Sequence, residues 1–312
     1  MKSAFLNKDK QLVVDFRSKP KPKSHELLIK VHATSVNPSD WKQMKNFAKL
    51  GLSYHAGADF SGVVEEVGEK VTRFKKGDAV FAHKGPGGGA ASEYLTVHEN
   101  HVLSVPDNVS LDHAAGVPTA AITAWHGLIT YGNLKPGHKV LIIGASGGVG
   151  SYAIQIAKAF DAEVTGVSSG ESIEMVKQLG ADHVIDYKKN NVVKEERLFG
   201  EFDLILDMVS IGHYKEYFPL LAPKGQYVTS VTTKQNFMGK LKGLFSFGRK
   251  KANVIFVPTR GLEQLKEIRK LMEKGQIVTP VHDTFTLDDI NQAYDLSKSG
   301  GVNGKIIIQM VS

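Results

Sequence analysis

One short segment constrains this chain more than any other: KVLIIGASGGVG, residues 139–150, followed at once by SYAIQIAKAF. The apolar run from Val140 to Ile143 reads as a strand buried on both faces. Gly144, Gly147 and Gly150 then repeat at three-residue spacing, with Gly148 adding a fourth small residue, and a helical pattern begins. Strand, glycine turn and helix in that order let backbone approach an anion and offer it the unpaired N–H groups of the helix start. A dinucleotide pyrophosphate is the ligand this arrangement suits, and the Ser146 hydroxyl adds a donor.

The alternation continues. AEVTGVSS reads as a second strand, GADHVIDY as a third, FDLILDMVS as a fourth, GQYVTSV as a fifth and NVIFV as a sixth, with helical stretches between the early ones. Such a pattern predicts an α/β fold, a Rossmann-type doubly wound parallel sheet. The second strand also bears on the nucleotide. An acidic residue there would accept from a ribose 2′-OH, but the strand ends Val167, Ser168, Ser169, Gly170. Serine hydroxyls donate to a 2′-phosphate, which favours NADPH; Glu171, just beyond, leaves NADH open.

The first hundred residues have a different texture. MKSAFLNKDKQLVVDF reads as a strand pair, and HELLIKVHATSV, FSGVVEEVG and GDAVFAH as further short strands, which predicts a β-barrel or folded sheet. Between them, WKQMKNFAKLGLSYHAGADF is expected to be a loop with about one helical turn. LDHAAGVPTAAITAWHGLITYG suits buried helices joined by a turn at Pro118, RGLEQLKEIRKLMEKGQ a helix, and KIIIQMV a closing strand. The expected boundaries are a β-rich catalytic domain at 1–116, a nucleotide-binding domain at 117–261 and a C-terminal return to the first domain at 262–312.

Composition narrows the chemistry. There is no cysteine, which removes disulfides, thiolate nucleophiles and cysteine-ligated zinc, and suits a cytoplasmic location. No apolar run reaches the ~20 residues of a membrane span. The net charge of +7 gathers locally at residues 19–23 and 240–251, without the aromatic array of a single-strand nucleic-acid surface. His98 and His101, with only Glu99 between them and no third ligand evident, read as a surface loop.

The segments NPSDWK (Asn37 to Lys42), GADFSGVVEEVGEKVTRFKKGDAVFA (Gly57 to Ala82), SEYLTV, TAAITAWHGL, VLIIGASGGVG, LGADHVIDY and GKIII, in this order, span nearly the whole chain. Together they resemble the medium-chain dehydrogenase/reductase superfamily, and within it the zinc-less quinone oxidoreductases and alkenone reductases. The resemblance implies a chaperonin-10-like barrel as the catalytic domain, an active site in the cleft between domains, and a homodimer. It also implies cofactor roles for Thr123 near the nicotinamide, Ser146 to Val149 at the pyrophosphate, and Ser168, Ser169 and Tyr187 around the adenosine ribose. Val209, Ser210, Val231, Phe256, Val257 and Pro258 match strand ends bordering the cofactor, and Lys305 a final cofactor-facing turn. Asn37 stands where zinc-dependent relatives have a cysteine ligand, and Gly57-Ala58-Asp59 where they have Gly-His-Glu, so no metal is expected.

Without a Lewis acid, hydride transfer to a quinone or α,β-unsaturated carbonyl is the fitting reaction, because the charge that develops is delocalised onto a carbonyl oxygen. Asn37 is the candidate for orienting substrate, or else only shapes an Asn-Pro turn. Asp40 fixes that segment or orders water. Tyr54 closes the pocket or donates a proton, or is simply packed. Residues 237–247 cover the substrate or form a basic surface loop. A second class of function, a cofactor-binding redox sensor or nucleic-acid binder with little catalysis, is motivated by the positive charge.

Overall fold

The computed structural model describes residues 1–85, 87–210, 213–230, 250–255 and 261–310. The chain forms two compact units, Met1–Ala120 with Pro258–Ser312, and Ala121–Val257. Of the residues singled out above, Val231, Phe256, Val257 and Pro258 and the segment 237–247 lie outside the described residues.

The first unit opens with an antiparallel hairpin, β1 (Lys2–Leu6) and β2 (Leu12–Phe16), as the alternating start predicts. Its main sheet joins β3 (Glu26–Val36), β4 (Asp59–Val67), β5 (Ala79–His83), β6 (Tyr94–His98) and β7 (Leu103–Ser104). Inward residues Leu27, Ile29, Phe60, Val64, Val80 and Leu95 form its core. The last strand of the chain completes the same sheet by pairing antiparallel with β3, Ile306 opposite Val36 and Ile308 opposite Thr34.

Between β3 and β4 the expected loop is instead a helix of 13 residues, α1 (Pro38–Leu50). Local chemistry explains it. Asn37 is extended (φ −124°, ψ 146°), Pro38 supplies a pre-set first helical residue, and the Asp40 carboxylate accepts from the Asn37 N–H at 2.8 Å. Trp41, Met44 and Phe47 recur at three-residue spacing and pack on the core, while interleaved lysines face outward. The lysines and the nearby glycines hid that stripe.

Helices α2 (Leu111–Gly116) and α3 (Pro118–Trp125) follow as predicted, α2 capped by Ser110, whose Oγ accepts from His113 N–H. In the second unit, β8 (Lys139–Ile143), α4 (Gly148–Ala159), β9 (Glu163–Ser168), α5 (Ser172–Gln178), β10 (His183–Asp186), β11 (Phe202–Asp207), β12 (Leu221–Thr229) and β13 (Lys251–Val254) build the predicted parallel sheet. Its strand order is β10-β9-β8-β11-β12-β13, with every pair parallel. The order reverses beside β8, so the loop after β8 stands at the sheet's switch point.

The first unit then resumes with α6 (Leu262–Glu273), which buries Leu265, Ile268 and Met272. It closes with β14 (Val281–Thr286), α7 (Ile290–Ser299) and β15 (Lys305–Gln309). Among the described residues no helix is long and apolar enough to cross a membrane.

Candidate active site

In the second unit the glycine turn has a defined geometry. Gly144 leaves β8 at φ +77°, and a Cβ there would meet Val209 Cγ2 at 2.6 Å. The turn closes with Gly147 N–H donating to Gly144 O at 3.1 Å, and Ala145 N–H donates to Val167 O on β9. Gly150 lies one turn into the motif, where a Cβ would sit 2.1 Å from Gly144 O and 2.8 Å from Ala145 Cα. The glycines therefore let the start of α4 press onto the end of β8. The first N–H groups of α4 have no partner within the helix and their dipole favours negative charge, so the turn could hold an anion.

Around this turn the candidate residues fall into different environments. Ser168 is buried at the end of β9 and its hydroxyl bonds Ser172 Oγ at 2.6 Å, so it is used in starting α5. Ser169 is half-buried, and Tyr187, 58% exposed, is tied to the same strand end by its N–H to Ser168 O. Thr123 is buried on α3. Val209 is 44% exposed, and Ser210 follows at φ +56°.

Missed in the sequence is what folds that last loop. Asp207, fully buried at the end of β11, accepts from the N–H groups of Val209 and Ser210 at 2.9 and 2.8 Å and from the Tyr227 hydroxyl at 2.6 Å.

The first unit holds a second constellation. The ends of β3, β4, β5 and β15 and the starts of α1 and α3 bring Asn37, Asp40, Asp59, His83, Thr119 and Lys305 together. Lys305 Nζ donates to Asn37 Oδ1 at 2.7 Å and to Val36 O at 3.2 Å. Asn37 Nδ2 in turn donates to Asp59 Oδ2 at 2.9 Å, so both ends of the amide are held. Asp59 is also the acceptor for His83 Nδ1 at 2.9 Å, Ser35 Oγ at 3.2 Å, and the Thr119 hydroxyl and N–H at 2.6 and 3.1 Å. Its carboxylate thereby caps the first turn of α3 from another part of the chain.

Burial sets the protonation of this group. Burial, reinforced by the Asp59 charge, pushes the Asp40 carboxyl up to about 7. Burial would also raise Asp59, but the hydrogen bond and charge of His83, with Lys305 and Thr119, hold it below the ordinary carboxylate value. Burial lowers Lys305 against the pull of Asp59 and Asp40. Burial works against the imidazolium of His83 too, yet Asp59 wins and the pKa is raised. Tyr54 is buried with its hydroxyl donating to Asp40 O at 2.9 Å; burial and then the Asp40 charge raise its pKa, so it stays protonated.

The sequence reading anticipated Asn37, Asp40, Tyr54 and Lys305 but set them in separate roles. His83 and Thr119 were missed. The available signal was a histidine at an inward position of the apolar strand AVFAH, directly across from Asp59.

Two protein families match parts of the chain. Residues 23–107 match the alcohol dehydrogenase GroES-like domain family, and residues 179–308 the zinc-binding dehydrogenase family. The chain is 33% identical to the mitochondrial NAD(P)H oxidoreductase RTN4IP1 of Homo sapiens, over 92% of this chain and 82% of that protein. It is 30% identical to the chloroplastic quinone-oxidoreductase QR1 of Triphysaria versicolor, over 93% of this chain and 91% of the relative. The quinone oxidoreductase of Coxiella burnetii superposes with a TM-score of 0.84 at 26% identity, over 100% of this chain and 99% of that one. The chain belongs to the medium-chain dehydrogenase/reductase superfamily, among its quinone oxidoreductases.

Proposed function

We propose that this protein is an NADPH-dependent oxidoreductase that delivers a hydride to a quinone or an α,β-unsaturated carbonyl without a metal ion. The observation that carries the reading is the glycine turn at the switch point, where a Cβ on Gly150 would fill the space an approaching backbone needs. Gly144, Ser146, Gly147, Gly148, Val149 and Gly150 are the residues assigned to the pyrophosphate. Ser169, just after β9, and Tyr187, just after the neighbouring β10, are assigned as the ribose-side contacts, and serines rather than a carboxylate at positions 168 and 169 favour a 2′-phosphate. When bound, the nicotinamide supplies the hydride.

The family description raises the question of zinc, and the residues do not fit it. A zinc site needs free lone pairs from Cys, His or carboxylate. Here the Asn37 amide is bonded at both ends, and a buried ammonium lies 2.7 Å from its oxygen. That ammonium would repel a dication at the same place. Asn37 and Asp59 are therefore assigned to holding the start of α1 and α3 in place, and Tyr54, engaged with Asp40 O, to packing.

Turnover is tested with purified protein, NADPH or NADH, and a panel of quinones, alkenals and alkenones. The expected result is NADPH oxidation by conjugated acceptors, a higher kcat/KM with NADPH than with NADH, and no loss on chelation. Failure to bind either dinucleotide overturns the whole reading. A higher kcat/KM with NADH overturns the NADPH assignment, and activity lost to chelators and restored by zinc overturns the metal-free mechanism. A cytoplasmic homodimer completes the proposal, its assembly state checked by light scattering and its place by cell fractionation. The absence of cysteine suits a reducing compartment.

A further inference from the structure

We infer that Asp207 and Tyr227 form a positioning pair that holds Val209 against the glycine turn, and through it sets the nicotinamide side of the dinucleotide site. The inference rests on the reading of that turn as a dinucleotide cradle, and adds residues to which the reading gave no part.

The geometry is local to the second unit. Asp207 is the last residue of β11, in register with Ile143 on β8 and Thr229 on β12. Its carboxylate is fully buried, yet meets no cation in the bonds described; it is balanced by two backbone N–H groups and one phenol, at 2.6–2.9 Å. Accepting from both Val209 and Ser210 bends the chain sharply after the strand, and Ser210 takes up φ +56°, a conformation that costs a non-glycine residue energy. Such a strain persists where surrounding bonds over-determine it. Met208 N–H extends the ladder onto Ile143 O, so the bend starts at the edge of the glycine turn itself.

The outcome of the bend is the place of Val209. Its Cγ2 lies 2.6 Å from where a Cβ on Gly144 would be, so the valine methyl covers the glycine that opens the turn. Tyr227 anchors the carboxylate from β12 below and is itself stacked on Tyr217 at 5.7 Å, a rigid backing within the sheet's core. Burial and the Asp207 charge keep its phenol protonated and donating.

The sheet order gives the side. Strand β9, whose end carries Ser168 and Ser169, lies next to β8 on one flank, and β11 lies on the other. In a doubly wound sheet the adenosine half of a dinucleotide lies toward the strand after the glycine motif. The loop after β11 therefore borders the opposite half. A loosened Val209 is expected to affect the whole cofactor while sparing a fragment that ends at the adenosine.

The test compares wild type with Asp207→Ala, Asp207→Asn and Tyr227→Phe, using NADPH in steady-state kinetics and adenosine 2′,5′-bisphosphate in a direct binding titration. Asp207→Ala removes all three acceptor bonds and is expected to raise the KM for NADPH roughly tenfold with kcat within about twofold. Asparagine keeps an acceptor for Val209 and Ser210 and is expected to recover most of that loss. Tyr227→Phe removes one bond, and gives a smaller rise that can be read even where the alanine variant fails to fold. Affinity for the adenosine fragment is expected to stay unchanged in every folded variant. NADPH and fragment weakening in parallel, or KM unchanged across the folded variants, overturns the inference and leaves the cradle standing. Wild type that binds no NADPH overturns the cradle, and this inference with it.

Discussion

The buried constellation of the first unit and the glycine turn of the second both manage charge away from bulk water, by opposite means. In the first, Asp40, Asp59, His83 and Lys305 are ionisable side chains gathered in the interior, where each feels the charge of others in the group. In the second, the turn is built of backbone, with Gly144 and Gly150 chosen for the side chains they lack. The contrast teaches that the two regions should fail differently. A side-chain cluster is sensitive to the loss of one partner and to pH, because each charge is tolerated only beside its counter-charge. A backbone cradle does not titrate, but it has no tolerance for added bulk.

The largest effect should come from breaking the cluster at its centre. Asp59→Leu leaves His83 without its acceptor and Lys305 without a nearby counter-charge, and should cost about 3–5 kcal/mol of stability, read from chemical unfolding. Adding Lys305→Met to it should cost less than the two single losses together, since the second change removes a charge that the first had stranded. Strict additivity would mean that the cluster is not a coupled unit.

Next comes bulk at the turn. Gly150→Ala drives a methyl against Gly144 O and Ala145 Cα, and should destabilise by about 1–3 kcal/mol while weakening dinucleotide binding. Full stability and unchanged affinity would show that α4 can slide away from β8, which the close packing opposes.

The pH response has a definite sign. Asp40 titrates at about 7 in the folded chain against 3.8 as its ordinary value, so its contribution is complete below about 3.8 and lost as pH rises through about 7. His83, raised above 6.5, acts in the same sense, its contribution fading as pH passes its folded value. Asp59 acts oppositely, contributing fully above 3.8 and failing only in acid, below its lowered folded value. Unfolding midpoints measured from pH 4 to 9 should therefore decline across neutrality, and Asp40→Asn should flatten that decline. A wild-type profile already flat between pH 5 and 8 would contradict the ionisation assigned to Asp40.

The smallest effect sharpens the same contrast. Lys139 and Glu201 pair at 2.7 Å on the surface of the second unit, both side chains more than two-fifths exposed. Lys139→Met should leave the unfolding midpoint within error, because solvent already stabilises both charges.

Much of this fold was legible in the chain. Runs such as Val140 to Ile143 and Leu204 to Leu206 announced a parallel sheet because a strand covered on both faces has no polar side to show. The glycine spacing at 144, 147 and 150 placed the turn correctly, since only a missing Cβ permits that approach. Helix α1 was hidden, because Trp41, Met44 and Phe47 are diluted by lysines and its start depends on a carboxylate three residues from an Asn-Pro pair.

The sequence by itself determined the elements whose cause lies within a few residues: strands from apolar runs, the turn from its glycines, the absence of thiol chemistry from the absence of cysteine. Only the tertiary structure decided that Lys305, 268 positions from Asn37, supplies the ammonium that its amide accepts, and that Asp59 caps a helix 60 positions away. A side-chain charge acts through space on whatever the fold brings near, and spacing along the chain carries no record of that partner. Backbone conformation depends on immediate neighbours, and the residues record it in order.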